Sequence, residues 1–278
     1  MTIVILIFVH GLTGDYEQTW KAENAADPWP KSLLPSIITN ARLLTFGYDA
    51  NVIGKGQVSE NGLREHAMAL VNDLARVRNK TKTNERPIIF ACHSLGGLLC
   101  KDALGYARDC LEERHRQINC CTRGIVFIGT PHHGSDLAPV ARKLARYLGR
   151  FKQTNSAILD VLEKGSDTLS RIQRDFANML RSRNEVSKDP SHLSPIEIVC
   201  FFEELPLDIV GTVVSKDSAI MPSSNAIGLH CNHIDMTKFD DKEDENFDRI
   251  AAELQEMCNK IAGDKTDKTD RTSLASHS

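Results

Sequence analysis

Apolar residues in this chain come in short unbroken runs, separated by stretches in which they recur every three or four positions. The runs at residues 3–9, 43–48, 88–92, 124–128, 196–202 and 227–231 each have the length of a strand. Unbroken rather than alternating apolar character predicts strands covered on both faces, as in a parallel sheet. Between the runs, Leu63, Ala67, Leu70, Leu74 and Val77 recur at helical spacing, and so do Phe247, Ile250, Leu254, Met257 and Ile261. Gly263 is placed to close that last helix. Alternation of strand and helix implies right-handed crossovers, hence an α/β fold with a mainly parallel sheet of about six strands and helices on both faces.

One interval breaks the rhythm. Between Pro131 and Ile196 lie roughly sixty residues of helical period with no strand-like run, longer than an ordinary connection. Ala138, Ala141, Ala145 and Leu148 mark one helix, with Ser135 as its cap, and Ile158, Leu162, Leu169, Ile172, Phe176 and Leu180 mark one or two more. An insertion following a loop at the sheet's rim is expected to form a lid, at about residues 137–195. The alternative is a set of helices that thicken one side of the domain. Residues 1–262 are read as one domain. The Asp/Lys/Thr/Ser repetition of residues 263–278 reads as a disordered tail or a linker.

Composition narrows the class of protein. The length of 278 residues suits one large α/β domain or two small ones. A formal net charge of −3 argues against a dedicated nucleic-acid binder, which needs basic excess to release counterions. Eight cysteines occur without metal-like spacing, and Cys92, Cys100, Cys200 and Cys231 lie in apolar contexts. Buried, reduced thiols are expected, which favours an intracellular, cytoplasmic compartment. The seven apolar residues at 3–9 are too few to span a bilayer and lack a basic flank, so they are read as a strand rather than a signal peptide. Any membrane contact is then peripheral.

Residues able to do chemistry fall at the carboxyl ends of the expected strands, where open α/β sheets bind ligands. They are His10-Gly11, Cys92-His93-Ser94, Thr130-Pro131-His132-His133-Gly134, Glu203-Glu204 and His233. Ser94 ends an apolar run and is followed by Leu95-Gly96-Gly97, the downstream half of a nucleophile elbow, with Cys92 in place of the first glycine. Acyl transfer also needs a base, an acid that orients it, and amides for the oxyanion. In the hydrolase chain order the base follows the last strand. His277 lies in the tail and His230 within the strand-like run, so His233 is the candidate. For the acid, Glu203 stands at a strand end, and Asp217 in the next connection is the alternative. The oxyanion amides are assigned to Leu95 and to Leu12 in the loop after the first strand, with His10 bracing that loop. His132 and His133 suggest a metal, with His10 or Asp136, but no ligand spacing supports one, and neither metal nor cofactor is expected. His230 and Asp235 match an H-x4-D acyltransferase spacing, which is read as coincidence.

The series Ile7-Phe8-Val9-His10-Gly11-Leu12-Thr13-Gly14 with Thr19-Trp20, then Cys92-His93-Ser94-Leu95-Gly96-Gly97-Leu98, then Gly129-Thr130-Pro131-His132-His133-Gly134-Ser135, resembles the serine-active-site-containing esterase family. The segments from Val214 to Ala219 and from Asn232 to Phe239 continue the likeness. The resemblance implies an α/β-hydrolase carrying Ser94 and His233, and it leaves the acid open. Relatives include lipid-remodelling proteins of mitochondria and endoplasmic reticulum, and amino-terminal domains of fungal immune-receptor-like proteins. It also implies that the chain starts at the third strand of an eight-stranded hydrolase sheet, with the first strand near the centre and residues 43–48 at one edge. Such a chain is either a minimal hydrolase or part of something longer.

Two functions follow as expectations. The first is a serine esterase or lipase acting on a lipid-like or small ester; its location would be cytoplasmic or peripheral to mitochondrial or endoplasmic reticulum membranes. Arg142, Lys143, Arg146, Arg150 and Lys152 line one expected helix that could rest on anionic lipid, or be an ordinary solvated face. The second is an interaction or signalling domain that keeps the fold with little or regulated activity. Transacylation is indistinguishable from hydrolysis at this level, and the oligomeric state is not readable.

Overall fold

A computed structural model of the protein describes residues 4–11, 14–48, 60–133, 137–148, 166–185 and 193–275. Six strands, β1 (Val4–Val9), β2 (Ala41–Phe46), β3 (Ile88–His93), β4 (Thr122–Ile128), β5 (Glu197–Glu203) and β6 (Asn225–Leu229), pair in parallel in the order β2-β1-β3-β4-β5-β6. The described helices are α1 (Trp29–Ser32), α2 (Glu60–Lys80), α3 (Gly96–Asp109), α4 (Glu113–Cys121), α5 (Leu137–Leu148), α6 (Ser166–Asn184), α7 (Lys216–Ala219) and α8 (Glu245–Ala275).

The unbroken apolar runs resolve into two buried faces because successive strand side chains point to opposite sides. Ile5, Ile7 and Val9 of β1, Phe90 of β3 and Phe127 of β4 join Leu70, Leu99, Ala103 and Phe176 of α2, α3 and α6. Val4, Leu6 and Phe8, with Val126, Ile128 and Phe201, meet Ile250, Leu254 and Met257 of α8 on the other face. Phe8 stands edge-on to Trp20 and Trp29, at ring separations of 5.2 and 5.3 Å. Each such fully buried side chain contributes roughly 1.5–3 kcal/mol, enough to hold the long loop after β1 against the sheet. Trp29 Nε1 donates to the carbonyl of Thr237 at 3.1 Å and so pins the loop after β6 from below.

Three expectations need correction. The first strand is second from an edge, not near the centre, because β2 alone lies outside it. The last strand ends at Leu229, so His230 lies beyond it. The backbone turns there, with the amide of Cys231 on the carbonyl of Leu229 at 2.8 Å and the amide of His230 on Asn246 Oδ1 at 2.9 Å. The final helix runs through Gly263 to Ala275. A glycine ends a helix by turning left-handed, and Gly263 does not; inside a helix it costs only about 1 kcal/mol relative to alanine.

The long insertion is not a single cap. The carboxyl half of α6 is core: Phe176 and Met179 are buried beside α3, and Arg183 donates to the carbonyls of Thr122 and Asn119. That half follows the thickening alternative. Helix α5 packs Val140 and Leu144 on Phe202, Leu207, Val213 and Val214, against the connection that follows β5. Lys143 is therefore not part of a solvated basic face: its Nζ donates to the carbonyl of Thr212. Ser135, Asp136, Arg150, Lys152, Ile158 and Leu162 lie outside the described residues.

Candidate active site

Ser94 occupies the sharp turn between β3 and α3. Its φ is +53°, a left-handed conformation that a non-glycine residue adopts only where the surroundings enforce it. Here they do. The Ser94 amide donates to the carbonyl of Ile128 at 2.9 Å, and its carbonyl accepts from the Gly97 amide at 3.1 Å and from Thr130 Oγ1 at 3.0 Å. Helix α3 starts so close to the end of β1 that a Cβ at Gly96 would stand 2.4 Å from the carbonyl oxygen of His10. That close approach explains the glycine after the nucleophile. Cys92, in the position of the first glycine of the general elbow, points into the core and is fully buried.

The amide of Leu95 lies at the N-cap of α3, where the first amides of a helix have no intrahelical acceptor and the helix dipole favours negative charge. Leu12 lies outside the described residues. His10 braces the base of its loop: Nδ1 is 2.9 Å from the carbonyl of Gly11, Nε2 accepts the Tyr48 amide at 3.3 Å, and the ring stacks on Tyr48.

His233 and Glu203 converge on Ser94 from the far side. His233 is fully buried, with Nε2 3.0 Å from Ser94 Oγ. Its Nδ1 faces Glu203 Oε2 at 3.6 Å, and neither of these two buried atoms has a hydrogen-bond partner among the described residues. Contacts of this kind are often long before substrate arrives and shorten afterwards. The other carboxylate oxygen, Oε1, accepts the amide of Val214 at 2.7 Å. Burial pushes the Glu203 carboxyl up to about 7, opposed by the amides of Val214 and Val213 and by the charge of Lys143. Burial, with His93 beside it, holds the His233 imidazole well below its ordinary value, so it is neutral near pH 7.

The other candidates lie elsewhere. Asp217 is exposed on α7, in a turn capped by Ser215 Oγ. His230 is exposed and faces Glu204 at 3.4 Å. His132 is engaged by Lys101, whose Nζ is 2.7 Å from its Nδ1. Among the described residues no three His, Cys, Asp or Glu side chains form a metal-sized group, and no helix is long and apolar enough to cross a membrane.

Two residues of the site, His93 and Gly129, received no role from the sequence alone. His93 Nε2 lies 3.0 Å from the carbonyl oxygen of His233, so consecutive residues of the elbow hold the base by its backbone and by its ring. Burial lowers its own imidazole to about 4, which leaves it a neutral donor. Its place next to Ser94 was the available signal. Gly129, at φ +58°, leaves room for the imidazole: a Cβ there would meet His233 Cε1 at 2.9 Å and Nδ1 at 3.0 Å. Gly129→Ala is expected to displace the ring and lower kcat/KM by about a hundredfold, the scale of an ångström-sized misplacement. Steady-state kinetics beside thermal unfolding checks this, and an unchanged rate would show that the ring has slack.

A parallel sheet with helices on both faces, and a serine, a histidine and a glutamate gathered at its carboxyl rim, define an α/β-hydrolase. Esterase B from Lactobacillus rhamnosis, in a structure inhibited by a tributyrin phosphonate, superposes with a TM-score of 0.54 over 97% of this chain and 79% of that one, at 11% identity. At that identity the likeness is one of fold. Residues 3–160 match the family described as "Putative serine esterase (DUF676)", and the chain belongs to that family. Protein SERAC1 from Bos taurus is similar to it, 27% identical over 252 residues, 84% of this chain and 36% of that protein. Protein SERAC1 from Homo sapiens is similar to the same extent. The chain thus spans a little over a third of the length of these curated relatives.

Proposed function

We propose that the protein is a serine hydrolase that cleaves a carboxylic ester, lipid-like in its acyl part, through an acyl-enzyme on Ser94. The observation that carries this reading is the 3.0 Å approach of His233 Nε2 to Ser94 Oγ, with the Glu203 carboxylate behind the ring. In the proposed reaction Ser94 Oγ attacks the ester carbonyl carbon and its proton passes to His233 Nε2. Negative charge gathers on the carbonyl oxygen, facing the Leu95 amide and the loop after β1. Glu203 fixes the ring and stabilises the imidazolium. The alcohol leaves with the proton from His233, and a water activated by the same nitrogen then releases the acid. An alcohol in place of water would make the reaction a transacylation.

A second reading draws on one feature. Ser94 is only 2% exposed, so a hydrolase-fold interaction domain with a closed, silent site is the rival. Treatment of the folded protein with a fluorophosphonate probe separates the two. Stoichiometric labelling at Ser94 is the expected result; folded protein that stays unlabelled would favour the interaction domain.

A further inference from the structure

Lys101 is a buried cation that the proposed reaction does not use. It sits on α3 seven positions after Ser94 and is 1% exposed. Its Nζ lies 2.7 Å from His132 Nδ1 in the loop after β4 and 2.6 Å from Gln173 Oε1 on α6. The rings of Phe127 and Phe176 flank it, each 5.2 Å from the nitrogen. The next residue, Asp102, is also buried and reaches the same helix: its Oδ1 lies 2.7 Å from Arg64 of α2 and 3.9 Å from Arg171 of α6. Between Arg171 and Gln173, Ile172 packs on Leu95 and Leu98, with Leu63 alongside.

That cluster is small and meets the α2–α3 core face through Leu63, which packs on both. It is apolar, it includes the residue next to the nucleophile, and the part of α6 that covers it is gripped by polar groups. A helix needed only for packing is held more cheaply by aliphatic side chains than by a desolvated ammonium. The grip is also incomplete, since Asp102 Oδ2 and Gln173 Nε2 are buried without partners among the described residues.

We propose that Lys101, through Gln173, is a positioning residue that holds α6 over Leu95 and thereby limits the length of acyl chain that the Ser94 site accepts. The proposal deepens the ester-hydrolase reading and rests on it. Removing the clasp frees Ile172 to move and opens the apolar floor of Leu63, Leu95 and Leu98 to a long chain. Acidity acts in the same direction. The groups facing Lys101 are His132 from the β4 loop, Cys200 from β5, Cys92 from β3 and Cys100 on its own helix. Burial and Lys101 keep His132 neutral, and burial keeps Cys92 and Cys200 protonated. Burial lowers Lys101 itself to about 7, so it is the group that titrates near neutrality. When α6 lifts, the amine is hydrated and regains its ordinary, higher value. The lifted state therefore binds the proton more tightly, and falling pH favours it.

The test compares ethyl and dodecyl fluorophosphonates on wild type, Gln173→Ala and Lys101→Met from pH 6 to 9, with hydrogen exchange across residues 170–178. Gln173→Ala is expected to raise the dodecyl-to-ethyl ratio of labelling rates by about tenfold, with the ethyl rate unchanged. In wild type the ratio should rise as pH falls, and in Lys101→Met that pH dependence should vanish. Exchange in α6, corrected for intrinsic rates, should quicken in Gln173→Ala. Equal ratios in all three proteins at every pH, or unaltered exchange in α6, would overturn the proposal. Failure of both probes on wild type would instead overturn the hydrolase reading, while the exchange result still decides the clasp.

Discussion

Ser94→Ala is expected to reduce ester turnover by about a millionfold, leaving a residual rate about 10³–10⁴-fold over water that binding and the oxyanion amides supply. The size follows from geometry. Oγ is the atom within 3.0 Å of His233 Nε2, and without it no acyl-enzyme forms, so only a water held less well at that spot can attack the ester carbon. The loss should come without unfolding, because alanine keeps the Cβ and the backbone bonds to Ile128, Gly97 and Thr130. Ser94→Gly sharpens the comparison. Glycine adopts a φ of +53° without the strain of about 1–2 kcal/mol borne by a side chain, partly offset by its freer unfolded chain, so this variant should be equally inactive and no less stable. Denaturant unfolding of the three proteins beside their turnover is the check. More than a few per cent of wild-type rate in Ser94→Ala would place the chemistry on another residue.

Glu203→Gln should lower kcat by about a thousandfold to ten-thousandfold, whereas Asp217→Asn should leave it near wild type. An amide in place of the carboxylate can hold the ring but cannot balance the charge of the imidazolium. Glutamine can also present its NH2 group to Nδ1, which selects the wrong tautomer. The pH profile carries the same assignment. The Glu203 carboxyl sits near 7 in the fold, raised above its unfolded value by burial, so ionising it costs folding free energy that accumulates between about pH 4.5 and 7. Stability contributed by this group is greatest in acid and is lost as pH rises through its folded value. Activity runs the other way, because the ionised form is the one that serves His233. In wild type kcat/KM should therefore rise with a midpoint near 7 that belongs to the buried pair as a whole. A profile without a limb in that range, or a Glu203→Gln variant of full rate, would remove Glu203 from its role.

Much of the architecture was legible because the chain writes burial directly into its order. The runs in β1, β3 and β4 could only be strands covered on both sides, and the residues at their ends necessarily share a rim. Proximity between rim residues was less legible. Glu203 ends β5 and Asp217 lies in the connection after it, and the choice depends on where that connection folds back. The amide of Val214 comes onto Glu203, while Asp217 is carried outward on α7. Polar side chains inside helices were hardest to read. Lys101 lies in a helix whose pattern gives no sign that the ammonium points inward, and its partners His132 and Gln173 come from distant segments. Lys143 was read as part of a basic face for the same reason. Helix ends misled as well, since Gly263 looked like a stop and is spanned.

The hydrogen bond between Ser94 and His233 joins residues 139 positions apart. During synthesis at about 5–20 residues per second, the serine leaves the ribosome roughly seven to thirty seconds before its partner exists. Until β5 has added to the sheet and the loop beyond β6 has closed over Trp29, the hydroxyl is an ordinary alcohol. A fold that draws Ser94, Glu203 and His233 from three distant segments therefore assembles its site only when the sheet is complete.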